Sequence, residues 1–81
     1  MIVRVRLFAI ARHLAERGLW ETTLPDQATI AALRRQLERE IPALAGLANR
    51  FRFAIDARYA GDCEQIPPGA DVACIPPVSG G

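Results

Sequence analysis

The chain contains no lysine, and all ten of its basic residues are arginine. No internal side chain can form a Schiff base or accept an isopeptide bond. Lysine-based covalent catalysis and polymers built on its own side chains are therefore excluded. Cysteine is scarce as well. Cys63 and Cys74 stand eleven residues apart, no C-x-x-C occurs, and the lone His13 is remote in sequence. Two thiols and one imidazole fall short of a four-ligand structural zinc site without carboxylates, so no metal is expected. Thiols without a disulfide framework point to a cytoplasmic protein. Charge of one sign is lacking too: ten basic and nine acidic residues leave a net +1. No field is strong enough to recruit nucleic acid or an anionic membrane. No apolar run approaches the roughly 20 residues of a membrane span. The start, Met1-Ile2-Val3-Arg4, alternates and reads as a strand, not as a secretory signal.

What remains is one small domain of 81 residues, 51% hydrophobic and 23% charged, which is ordinary globular composition. A chain this short buries only about 60–65% of its unfolded surface, leaving little core in which to build a deep pocket. Residues 2–8 alternate, with Val3, Val5 and Leu7 on one face and Arg4 and Arg6 on the other. Ile2 and Phe8 share the arginine face. Residues 9–18 suggest a short helical turn, with Ile10 and Leu14 spaced i, i+4 and Gly18 in the position of a C-cap. Residues 19–24 alternate again, placing Trp20, Thr22 and Leu24 on one face.

The strongest helical signal runs from Thr29, a good N-cap, to Glu40. Ile30, Leu33, Leu37 and Ile41 form one stripe, and Arg34, Arg35, Glu38, Arg39 and Glu40 form a solvated face. Arg34 and Glu38 are spaced for a weak i, i+4 pair, and Pro42 stops the helix. A third strand is expected over 51–57, with Phe51, Phe53 and Ile55 facing the core. Pro67-Pro68-Gly69-Ala70 has a type II turn signature. Asp71–Ile75 then reads as a final strand, with Val72 and Cys74 on one face and Ala73 and Ile75 on the other. Trp20, Phe51, Phe53 and Cys74 are assigned to the core, Cys63 to a loop and His13 to the surface.

The order strand, strand, helix, strand, strand is that of an α+β, ubiquitin-like β-grasp. One main helix lies across a mixed sheet, and the last strand runs parallel beside the first. Residues 1–75 form the domain and 76–81 an extended tail. Pro76 and Pro77 cannot donate to a ladder and end the strand. Val78 and Ser79 follow, then Gly80 and Gly81, which lack a Cβ and are thin. No charged side chain follows Asp71. Six such residues span at most about 20 Å and present a bare carboxylate on a narrow thread. That form suits insertion into another protein's active site, where Gly81 is the reacting group and Gly80 a spacer.

The tail Pro76-Pro77-Val78-Ser79-Gly80-Gly81 resembles that of the family of small, sulfur-carrier subunits of molybdopterin synthase. Phe8-Ala9, Arg12, Leu14 and Gly18 fit the family's spacing, as do Gly69-Ala70-Asp71-Val72-Ala73 and the total length. His13 departs from it, standing where an acidic residue is usual. The resemblance implies a subunit that is not catalytic alone and binds no cofactor. A ubiquitin-activating-type adenylyltransferase spends ATP to convert Gly81 to an acyl-adenylate, and sulfur then replaces AMP to leave a thiocarboxylate. The tail donates that sulfur to cyclic pyranopterin monophosphate inside the synthase large subunit, in a heterotetramer of two small and two large chains. A sibling carrier for thiamine or tRNA thiolation, a ubiquitin-like modifier and an interaction module with an inert tail are the alternatives. Docking is expected on the sheet face away from the helix, through Phe8, Ile75 and Tyr59, with Arg12 contacting acidic partner groups.

Overall fold

Val3, Val5 and Leu7 are buried while Ile2, Arg4 and Arg6 are exposed, so β1 (Ile2–Leu7) seals one face and wets the other. The structure is a computed structural model that describes residues 1–77; Val78, Ser79, Gly80 and Gly81 lie outside the described residues. β2 (Leu19–Thr23) pairs antiparallel with β1, setting Trp20 opposite Val5 and Thr22 opposite Val3 on the buried face. β5 (Asp71–Ile75) lies parallel on the other side of β1, with Cys74 opposite Leu7. β3 (Arg52–Ile55) pairs antiparallel with β5, and β4 (Arg58–Ala60) with β3. The sheet order is β2-β1-β5-β3-β4.

Between the hairpin and β3 runs α2 (Ile30–Glu40). Thr29 Oγ1 accepts the Ala32 N–H at 3.3 Å, the expected N-cap. Ile30, Leu33, Leu37 and Ile41 are buried in one cluster with Val5, Leu7, Trp20, Phe53, Val72 and Cys74. Each such aliphatic side chain contributes about 1.5–3 kcal/mol on leaving water. Pro42 ends the helix by opening a 3₁₀ turn, Pro42–Leu44. The turn at Pro67-Pro68-Gly69-Ala70 forms as its residues dictate, with Gly69 at φ +76° and the Ala70 N–H on Pro67 O at 3.2 Å. The architecture is an α+β, ubiquitin-like β-grasp.

Three local expectations are corrected. The first helix, α1 (Ala9–Ala15), stops before Gly18. Glu16 takes the left-handed C-cap at φ 58°, while Gly18 O accepts the Leu7 N–H at 2.9 Å and starts the β1–β2 pairing. The third strand is shorter than residues 51–57, and a further strand, β4, follows it through a turn at Asp56 and Ala57. Both have positive φ (49° and 67°), a conformation normally supplied by Asn-Gly. Arg34 does not pair with Glu38. It turns under α2 to donate to Ala48 O, Phe51 O and Asp62. Ala73 does lie on the outer face with Ile75, as parity placed it, and is buried there.

The end of α2 is tied to β2 through Glu40. Its carboxylate accepts the Trp20 indole N–H at 3.0 Å, the Thr22 hydroxyl at 2.7 Å and the Gln36 amide at 2.7 Å. The Thr22 bond leads in holding the carboxyl below its usual range. Desolvation opposes it, while Trp20, Gln36 and the field of Arg17 assist. A carboxyl whose folded pKa lies below its unfolded value stabilises the fold above the unfolded pKa, and that stabilisation is lost as pH falls towards the folded one. Glu40→Gln is therefore expected to cost about 1 kcal/mol at pH 7, a modest figure because the group is largely exposed. The gap to wild type should close in urea melts taken well below pH 4.5, the carboxyl's ordinary value.

Candidate functional site

The parallel pairing of β1 and β5 makes the site. The two strands end on the same side, so Phe8, just past β1, comes beside Ile75, the last residue of β5. Ala54 lies opposite both Ala73 and Tyr59 in register. The outer sheet face thus gathers Phe8, Ala54, Tyr59, Ala73 and Ile75 around a hollow of about 280 Å³, closed by Arg6 and Ala57. Phe8 is 42% exposed and Tyr59 52%, large apolar surfaces for so small a chain. The Arg6 guanidinium lies 5.6 Å from the Phe8 ring centre, and the Arg52 guanidinium 3.9 Å from that of Tyr59. These contacts brace both rings outward without covering the hollow. Arg6 is itself fixed by two bonds to Asp71, at 3.0 and 2.8 Å.

Phe8 and Ile75 are brought together as parity required, and Tyr59, expected just past the third strand, joins them from β4. Arg12 is not with them; it lines a separate hollow on α1 beside His13 and Arg17. Arg6, Ala54 and Ala73 were missed as lining residues, although their alternation along the strands was a sufficient signal. Ala57 carried none, because its position depends on the turn. Pro76 is buried and Pro77 exposed, so packing continues one residue past β5. The expected reacting group Gly81, with Val78, Ser79 and Gly80, lies outside the described residues.

The thiols do not join the hollow. Cys63 is exposed in the loop before Glu64, and Cys74 is buried. Burial pushes the Cys74 thiol up to about 12 against the field of Arg34, which keeps it protonated and unreactive at neutral pH. His13 is exposed, as expected. Among the described residues no helix is long and apolar enough to cross a membrane.

The ThiS family model matches residues 5–81. The human molybdopterin synthase sulfur carrier subunit is 32% identical over 82 residues, covering 98% of this chain and 93% of the human one. The protein of the same description from Caenorhabditis briggsae is 31% identical, covering 98% and 96%. Among solved structures, SAMP1 from Haloferax volcanii superposes over all of both chains with a TM-score of 0.86 at 22% identity, a likeness of fold. With its β-grasp sheet and a family match running from β1 to the last glycine, the chain belongs to the ThiS family.

Proposed function

We propose that the chain is the sulfur-carrier subunit of a molybdopterin synthase and that Gly81 is its reacting group. The likeness to two sulfur carrier subunits over nearly the whole of both chains carries this reading. The tail sequence Pro76 to Gly81 supports it. The Gly81 carboxylate attacks the α-phosphorus of ATP on a ubiquitin-activating-type adenylyltransferase, and pyrophosphate leaves. The terminal sulfur of a donor's persulfide then displaces AMP at the carbonyl carbon to form an acyl disulfide, and a second thiol attacks its S–S bond, releasing the thiocarboxylate and leaving a disulfide. In the large subunit the sulfur passes to cyclic pyranopterin monophosphate, and water restores the carboxylate. This chain supplies no general acid or base. It supplies a narrow tail and a body that docks, so that reaction is governed by placement. The assembly is two small and two large subunits.

Intact mass spectrometry tests the reading on the chain incubated with its activating enzyme, ATP and a sulfur donor. A gain of about 16 Da, sulfur for oxygen, is expected. An unchanged mass under sulfur-supplying conditions rejects it. Transfer to cyclic pyranopterin monophosphate, and not to a thiazole precursor or tRNA, separates it from the sibling carriers.

Docking of the large subunit is assigned to the hollow around Phe8, Tyr59 and Ile75. Phe8→Arg places a charge where a partner would desolvate it and is expected to weaken binding at least about tenfold, or 1.4 kcal/mol. Calorimetric titration of the large subunit measures this. The melting temperature should barely move, since Phe8 is 42% exposed.

A further inference from the structure

A tail that delivers a reacting carbon needs a fixed root, and the end of β5 supplies one. The Asp56 N–H donates to Asp71 O at 2.8 Å, so Asp71, Ala73 and Ile75 turn their backbone groups towards β3. Val72, Cys74 and Pro76 therefore turn theirs towards β1. On that side the Leu7 N–H donates to Gly18 O, next to β2, so the backbone groups of Phe8 face β5. Extending the parallel register would aim an N–H at position 76 towards Phe8 O. That carbonyl already accepts the Ala11 and Arg12 N–H groups, at 3.1 and 3.3 Å. Proline is the one residue with no N–H to leave unpaired there.

The side chain completes the anchorage. Val72 and Cys74 are fully buried on the core face, and Pro76 continues their alternation and is buried too, whereas Pro77 is exposed. Both neighbouring strands have left by this point. The last β3 pair is Arg52 with Ile75, the last β1 pair is Leu7 with Cys74, and the chain swings into α1 at Ala9 with φ 51°. Position 76 is thus held by its ring and not by a ladder. The backbone around it has little freedom. A proline confines the residue before it to extended backbone, which restricts Ile75 and Pro76, and the two rings hold φ at 76 and 77 near −65°. The chain therefore leaves along the line of β5. The docking hollow, lined by Ala73 and Ile75, lies behind that exit. A bend at the root would lay the tail across it.

We propose that Pro76 is a positioning residue for Gly81: its buried ring is the root from which the tail is aimed away from the docking hollow. Four residues past Pro77 reach at most about 14 Å, so an error of direction at the root is carried to the reacting carbon. The proposal rests on the sulfur-carrier reading and adds that the body fixes where the tail points, separately from where the body docks.

The test compares Pro76→Gly with wild type in two assays, both below its melting temperature. Double electron–electron resonance measures the distance from a nitroxide on Cys63, the exposed native thiol, to one on Ser79→Cys; Cys74 is buried and takes no label. Pro76→Gly is expected to widen the distance distribution at least about twofold. In ATP–pyrophosphate exchange by the cognate activating enzyme, it is expected to lower kcat about tenfold and to leave KM for the carrier within about twofold, because docking is left to the body. Pro76→Ala, which frees the backbone less than Gly, should fall between. Cys74→Ala removes core packing from the same strand without touching the root. It should melt lower yet keep both the distribution width and kcat within about twofold of wild type. A wild-type kcat for Pro76→Gly overturns the proposal, as does an unwidened distribution. A loss expressed in KM assigns Pro76 to docking, and an equal loss in Cys74→Ala assigns it to stability; either overturns the proposal. Failure of the wild-type chain to be adenylated at all instead rejects the sulfur-carrier reading, and the distance measurement then decides alone whether Pro76 is the root.

Discussion

Deleting Gly81, or adding one residue after it, is expected to abolish the mass gain of about 16 Da and all sulfur transfer, while leaving the fold intact. One residue moves the reacting carbon by about 3.5 Å along an extended chain. In a reaction driven by placement, a displacement of about 1 Å already costs about a hundredfold, so a full residue puts activity below detection. The body should not notice. The sheet is complete at Ile75, and the last side chain seen packed down is Pro76. Melting temperature and affinity for the large subunit should therefore match wild type. That combination separates a chemical role for the terminus from a structural one. If the extended chain still yields molybdopterin at the wild-type rate, the tail is not the reacting group. If it melts lower as well, Gly81 is part of the body.

This division between body and tail also explains what the sequence could disclose. β1, β2 and α2 were legible because each carries its own period: Val3-Val5-Leu7 at two, Ile30-Leu33-Leu37-Ile41 at helical spacing, with Thr29 and Pro42 as its ends. Parity along β1 and β5 sufficed to place Phe8 and Ile75 on the outer face. It would have placed Arg6 and Ala73 there too. Two kinds of feature were hidden. Turns made by residues that do not advertise them were one kind: Asp56 and Ala57 adopt positive φ because β3 and β4 pair across them, and Glu16 takes the cap that Gly18 was expected to take. Long-range polar contacts were the other. Arg12 was expected to meet acidic partner groups with no place given for it, because charge carries no direction, and the fold sets it on α1 beside His13 and Arg17. Arg34 was paired with its nearest helical neighbour, whereas its partners lie 14, 17 and 28 residues away.

Arg34 is where the second large effect is expected. Its side chain is only 15% exposed. Nη1 donates to Ala48 O and Phe51 O, both at 2.6 Å, and Nη2 to Asp62 at 2.7 Å. The guanidinium stacks 5.1 Å from the centre of the Phe53 ring. One side chain of α2 thus fastens the 3₁₀ turn before β3, Ala48–Arg50, to the loop that carries Cys63. Its Nε is buried without a partner, so part of the binding energy is already forgone. Arg34→Ala removes three hydrogen bonds and leaves a void. Ala48 O keeps the Phe51 N–H, and Phe51 O loses its charged donor. The expected cost is about 3 kcal/mol in urea unfolding at pH 7. A chain of this length has only about 4–12 kcal/mol in total, so the variant approaches the unfolding limit. Arg34→Met, which keeps the stem and the contact with Phe53, should cost less than Ala. Arg34→Lys should not restore wild type, since one ammonium cannot reproduce a planar fork aimed at two carbonyls and a carboxylate. Arg35→Ala, on the exposed side of the same turn, should fall within about 0.5 kcal/mol of wild type. Equal losses at 34 and 35 would mean that this buried fork does not set the stability of the segment, since Ala is the better helix former at both positions.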